Sequence, residues 1–171
     1  MDSLRSMVRE VADFPKPGIL FRDLTPVIAD GDLLREAAEA LAAPFRNRGV
    51  SKVAGMEARG FIFGSVVAYV LGTGFVPLRK AGKLPYRTHR AAYALEYGEA
   101  VLEMHVDAIT PADNVLLIDD LIATGGTAAA SCELIAMAGA RIAGCAFVIE
   151  LDFLGGRKLL APHPVHTLLH Y

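Results

Sequence analysis

Residues 115–127, VLLIDDLIATGGT, restrict the chain to few folds. The stretch opens with an aliphatic run too short for a free-standing helix and rich enough in Val, Leu and Ile to be a strand buried on both faces. Asp119 and Asp120 close that strand in this reading, Thr124 and Thr127 bracket Gly125 and Gly126, and residues 128–135 continue as a helix. Glycines let backbone N–H groups crowd around an anion, and a helix N-terminus behind them adds about half a positive charge. A phosphate therefore fits on residues 124–127. The two carboxylates must face something else attached to it, because ionised carboxylates only accept hydrogen bonds and bind hard cations. Vicinal ribose hydroxyls, or a Mg²⁺ shared with them, meet that need, so the implied ligand is a sugar phosphate.

A chain of 171 residues suits one domain with a single core. At 53% hydrophobic and 21% charged residues with a net charge of -2, it is neither disordered nor a generally basic nucleic-acid binder. Cys132 and Cys145 have no C-x-x-C spacing and read as small core residues, which points to a reducing compartment. The charges at Asp2, Arg5, Arg9 and Glu10 argue against a secretory signal. The longest apolar stretch, 61–71, is too short and too interrupted by Gly64 and Ser65 to span a bilayer. A cytoplasmic protein with no membrane or nucleic-acid partner is expected.

Leu4, Met7, Val8 and Val11 recur at helical spacing until Pro15, Pro17 and Gly18 end any helix. Residues 19–27 read as extended and closed by Pro26, and 30–49 as a helix with an acidic N-cap that Pro44 kinks or shortens. Then come a strand at 50–56, a helix at 61–71 and a strand at 74–79, a βαβ order that requires a parallel sheet with right-handed crossovers. A polar stretch at 80–92 breaks the alternation, and Tyr97-Gly98 sits between two short strand patterns as a hairpin turn. That excursion is expected to be a mobile flap. After the 115–127 unit follow a strand at 141–151, a polar turn around Gly155, Gly156, Arg157 and Lys158, and a last strand near 165–169.

Open parallel sheets bind ligands beyond the carboxyl ends of their strands. Besides the main loop, three such places carry chemistry. At GMEARGF (55–61) a strand ends in a tight turn bearing Arg59, whose guanidinium suits a bidentate grip on pyrophosphate oxygens. At 79–90 five basic residues, Arg79, Lys80, Lys83, Arg87 and Arg90, make a local positive field that draws a polyanion. Nucleic acid is the rival polyanion there, but only Tyr86 interleaves the cluster. The third place is YALEYG (93–98), with Glu96.

IDDLIATGGT (118–127) resembles the phosphoribosyl pyrophosphate loop of type I phosphoribosyltransferases. KLP (83–85), LEYG (95–98), Leu102-Glu103, PGILFRD (17–23) and KLLAP (158–162) narrow the resemblance to the adenine phosphoribosyltransferase family over nearly the whole chain. The chain departs from that family's pattern at Ala92 and at Tyr86-Arg87. The resemblance implies a single α/β domain: a central, mostly parallel sheet flanked by helices, an N-terminal base-binding hood over 1–30, and a flap over 80–105. It implies transfer of the phosphoribosyl group to adenine with Mg²⁺, giving AMP and pyrophosphate. Phosphoribosyl pyrophosphate is expected on Arg59, Arg79, Lys80, Lys83, Asp119, Asp120, Ala123, Thr124, Gly125, Gly126 and Thr127. Asp119 and Asp120 hold the ribose hydroxyls or reach the metal indirectly. Glu96 handles the proton of the purine imidazole ring. Leu20, Phe21 and Arg22 read the base: an extended backbone alternates donors and acceptors, and Phe21 offers a stacking face. The resemblance also implies a homodimer in which Arg79 reaches the neighbour's site. A hypoxanthine, guanine or xanthine enzyme of the same fold is the nearest alternative, and a phosphoribosyl-pyrophosphate-sensing nucleic-acid regulator a more distant one.

Overall fold

The computed structural model describes residues 2–94 and 99–171. Five parallel strands form its centre: β3 (Lys52–Met56), β4 (Gly74–Lys80), β7 (Asn114–Ile122), β8 (Arg141–Glu150) and β9 (Val165–His170). An antiparallel hairpin, β5 (Thr88–Ala94) and β6 (Glu99–His105), joins one edge through β6, so the sheet order is β5-β6-β4-β3-β7-β8-β9. β1 (Arg9–Ala12) and β2 (Leu20–Asp23) form a separate two-stranded antiparallel ribbon. Helices α1 (Asp2–Met7), α2 (Thr25–Ala29), α3 (Gly31–Ala42), α4 (Arg59–Leu71) and α5 (Gly126–Met137) complete the chain. None is long and apolar enough to cross a membrane among the described residues.

The sheet separates two apolar clusters. One gathers Leu41, Phe45, Phe63, Leu116, Ile118 and Val148 under α3 and α4. The other gathers Leu78, Leu102, Met104, Leu117, Leu134 and Phe147 under α5 and the hairpin. Alternate residues of β7 enter opposite clusters, as the two-residue period of a strand requires. A strand sandwiched in this way must be apolar throughout, which is why the run before Asp119 is aliphatic.

The mainly parallel sheet, the βαβ order and the edge hairpin match the sequence reading, but several boundaries move. The opening helix stops at Met7, and Val11 lies in β1 opposite Phe21. Helical spacing over so short a stretch is outweighed by the ribbon's ladder. Pro26 starts a helix instead of closing a strand, since a proline in the first turn loses no intrahelical hydrogen bond. Asp30 caps α3 by accepting from the amides of Asp32 and Leu33, and Pro44 ends that helix early in a 3-10 turn. β5 begins at Thr88, inside the stretch read as a polar interruption, because it pairs with β6 along its length. β7 continues through both aspartates to Ile122, held by β8 from Asp119 opposite Phe147 to Ile122 opposite Glu150. Asp119 and Asp120 therefore lie within the strand rather than closing it.

Candidate functional site

The loop after β7 is a cradle for an anion. Gly125 precedes the first residue of α5 with φ of 84°, a left-handed geometry that only glycine adopts without strain. Residues 121–128 and Asp119 line a cavity of about 110 Å³ at the helix N-terminus. Ala123, Thr124, Gly125, Gly126 and Thr127 are all in that lining, where backbone N–H groups and the helix dipole favour phosphate. A second cavity of about 390 Å³, lined by Ala92 and Tyr93 of β5, Thr124, Gly126 and Leu159, opens beside it. The hairpin thus shares a crevice with the phosphate loop.

The two aspartates occupy different surroundings. Both nonetheless meet the start of α4, Asp119 at Gly60 and Asp120 at Arg59. Asp119 turns toward the start of α4, where a Cβ on Gly60 would lie 2.6 Å from its Oδ1. Only glycine leaves room for that carboxylate. Its Oδ1 also accepts the Asp120 amide at 2.9 Å. Burial first, and then the neighbouring Asp120 carboxylate, push the Asp119 carboxyl well above its ordinary range. Asp120 is buried and bonded to Nε of Arg59.

Arg59, the first residue of α4, is held through Nε while its side chain remains 44% exposed. It bridges Asp120 and the N-terminal ribbon, with its guanidinium carbon 5.8 Å from the centre of the Phe21 ring. Phe21 is half-buried on the ribbon and stacks edge-on against Phe14 at 5.1 Å, so it is not a residue of either main cluster. Leu20 beside it is exposed. Arg22 is bonded to Glu10 and lies 4.0 Å from the Tyr171 ring, so its side chain locks the ribbon to the chain's last residue. Of the residues expected to read the base, Phe21 has its ring beside Arg59, and β2 pairs with β1 alone in its ribbon.

Three of the five cations in the basic stretch are paired with two carboxylates. Glu57 accepts from Nε of Arg79 at 2.8 Å and pairs with Nζ of Lys83 at 3.3 Å. Burial raises the Glu57 carboxyl, but Arg79, the Lys80 amide and Lys83 outweigh burial and hold it below its ordinary value. Arg90 pairs with Glu103 at 3.0 Å, and Arg87 packs 5.4 Å from the Tyr86 ring. The Lys80 side chain is exposed. Glu57, unassigned from sequence, therefore ties the turn before α4 to the base of the hairpin. Its place two residues before Arg59, in a strongly marked turn, was the available signal. Glu96 lies outside the described residues.

Among these same residues the closest grouping of metal-capable side chains is Glu150, Asp152 and His170. Arg157 and Thr167 already occupy the Glu150 oxygens. Cys132 and Cys145 are buried free thiols whose sulfurs lie 3.8 Å apart, in agreement with their reading as core residues.

The phosphoribosyl transferase domain model matches residues 28–160. The adenine phosphoribosyltransferase of Nitrosococcus oceani is 57% identical over 171 residues, covering 100% of both chains. The crystal structure of the Rhodothermus marinus adenine phosphoribosyltransferase superposes with a TM-score of 0.95 at 54% identity, covering 99% of this chain and 97% of that one. The Saccharomyces cerevisiae enzyme, solved with an imino-altritol bisphosphate and adenine, gives a TM-score of 0.94 at 42% identity over 98% of this chain and 97% of that one. Strand-borne aspartates, glycine cradle, Arg59 turn and ribbon are thus carried by a chain similar to these relatives along its whole length, and it belongs to the phosphoribosyltransferase family, in the adenine phosphoribosyltransferase branch.

Proposed function

We propose that this protein transfers the 5-phosphoribosyl group from phosphoribosyl pyrophosphate to adenine, forming AMP and releasing pyrophosphate. One observation carries the reading: Arg59 links Phe21 to Asp120, which puts a stacking ring for a base beside a ribose-binding carboxylate and the phosphate cradle. The yeast relative's complex with adenine supports the choice of base.

The 5-phosphate sits on residues 123–127, and Asp119 and Asp120 receive the ribose hydroxyls. N9 of adenine bonds to ribose C1 as the bond from C1 to the pyrophosphate oxygen breaks. Positive character develops on the sugar, as in other glycosyl transfers, and the aspartates lie where it is stabilised. Arg59, Arg79, Lys80 and Lys83 neutralise the departing pyrophosphate. Glu96 accepts the N9 proton, so Glu96→Gln should lower turnover about a hundredfold, a typical loss for a general base.

Mg²⁺ fits this donor set as an ion carried mainly by substrate oxygens. Asp120 is engaged with Arg59, Asp119 lies beside the cradle, and Mg²⁺ commonly takes one or two carboxylates together with phosphates and water. When bound, it supplies charge neutralisation on the pyrophosphate.

Residues 1–30 act as the base-binding hood and 80–105 as the flap. β2 offers backbone donors and acceptors to the amino edge of adenine, a pattern that rejects the carbonyl of hypoxanthine. The protein is assigned to the cytoplasm, in keeping with its free thiols. It is also read as a homodimer, supported by exposed Ile62 and Tyr69 on α4.

Incubation with phosphoribosyl pyrophosphate, Mg²⁺ and each purine base tests the assignment. AMP is the expected product. IMP or GMP without AMP would overturn it.

A further inference from the structure

The turn after β8 packs backbone directly against backbone of the phosphate loop. Gly156 is buried although Arg157, Lys158 and Leu159 around it are exposed. A Cβ on Gly156 would collide with the Ala123 carbonyl oxygen and lie 2.7 Å from the Gly125 amide nitrogen and 2.8 Å from the Thr124 carbonyl carbon. The contact is reciprocal, because a Cβ on Gly125 would collide with the Gly156 carbonyl oxygen. Gly156 is not among the positive-φ glycines, so space and not backbone conformation excludes a side chain there. Three of the five residues expected to hold phosphate thus rest against one glycine from another part of the chain.

The turn itself is anchored on both sides of that contact. Gly156–Leu160 is a 3-10 segment whose last residue, Leu160, is only 1% exposed and packs in the cluster beneath α5. Next to Gly156, Arg157 donates through Nε at 2.9 Å and Nη2 at 2.5 Å to Glu150 at the end of β8. It donates further to the Val165 carbonyl at 3.0 Å and the Thr167 hydroxyl at 3.1 Å, both on β9. A planar guanidinium making four such bonds fixes direction as well as distance. The Glu150 side chain is 7% exposed, so the pin is embedded in the sheet end.

We propose that the Gly156 turn is a rigid backing wall that sets the shape of the phosphate cradle, making Gly156 and Arg157 positioning residues for the 5-phosphate. The inference rests on the phosphoribosyl reading of the loop and extends it to a segment that shares no sequence motif with it. A cradle of backbone amides works only while those amides converge, and glycine-rich loops have little internal stiffness. Here the stiffness comes from outside the loop, through Arg157 and Leu160. Neither positioning residue needs to touch the ligand.

Calorimetric binding of ribose 5-phosphate and of adenine, with steady-state KM values for both substrates, tests this on Gly156→Ala and Arg157→Lys. Gly156→Ala should weaken ribose 5-phosphate binding and raise the KM for phosphoribosyl pyrophosphate at least tenfold, with the adenine values within about twofold. Arg157→Lys, which keeps the charge but loses the planar fork and leaves the loop contact intact, should give a smaller shift of the same kind, and it serves alone if the alanine variant does not fold. Unchanged ribose 5-phosphate affinity in a folded variant, or equal losses for both ligands, overturns the proposal. Wild-type protein that binds no ribose 5-phosphate would remove the phosphoribosyl reading and this inference together, whereas normal wild-type binding with unaffected variants removes this inference alone.

Discussion

Asp119 shows how a residue proposed to hold substrate can oppose folding. Its carboxyl is raised above the ordinary value, so its contribution to stability is full below the unfolded pKa and is lost as pH rises through the folded one. At pH 7, well above the unfolded pKa, the group therefore works against folding. Asp119→Asn retains an oxygen for the Asp120 amide and removes the like charge. It should raise stability at pH 7 by about 1 kcal/mol, seen as a higher Tm, while turnover falls at least tenfold. A lower Tm would show that the carboxylate is stabilised by something other than its neighbours here. Phe21→Ala should raise the KM for adenine about tenfold and leave that for phosphoribosyl pyrophosphate nearly unchanged, because a stacked ring contributes about 1–3 kcal/mol per base. Equal changes in both constants would move Phe21 from base recognition to support of the ribbon. The stacking role was legible as a possibility in the extended segment around Phe21. Its proximity to Arg59 was not, since those two residues meet only in the fold.

Among the elements, the ends of β8 and β9 carry a buried polar network. Glu150 binds Arg157 and Thr167, and the Thr167 hydroxyl lies 2.9 Å from His170. The Arg157 hydrogen bond is the main cause of the lowered Glu150 carboxyl. A depressed carboxyl contributes stability above its unfolded pKa of about 4.3 and loses it as pH falls through the folded value. Glu150→Gln should therefore cost about 1–2 kcal/mol at pH 7, the modest figure reflecting a guanidinium that is 43% exposed. The gap between variant and wild type should close below about pH 4, as read from denaturant titrations across pH. A constant gap would place the loss in packing instead of charge. The element order was readable because buried parallel strands are continuous apolar runs. The ends were not: the passage of β7 through Asp119 and Asp120 depends on its ladder with β8.

For the molecule as a whole, charge argues for a small polyanionic ligand over a nucleic acid. The net charge is -2, and Arg79, Lys83 and Arg90 are each paired with a buried carboxylate. No salt-dependent association with duplex DNA or with RNA is expected in fluorescence anisotropy at physiological ionic strength. Tight, salt-sensitive binding without nucleotide synthesis would favour a regulator. The expected phosphate cradle was legible in sequence alone, because everything it needs is contiguous: an aliphatic strand, paired glycines and a helix start. Only the tertiary structure decided what surrounds it. Arg59 reaches Asp120 across 61 positions of chain, Gly60 makes room for Asp119, Glu57 gathers Arg79 and Lys83, and Gly156 backs the loop. Such contacts depend on the sheet order and on distances of a few ångströms between backbones, and the spacing of residues along a chain carries neither.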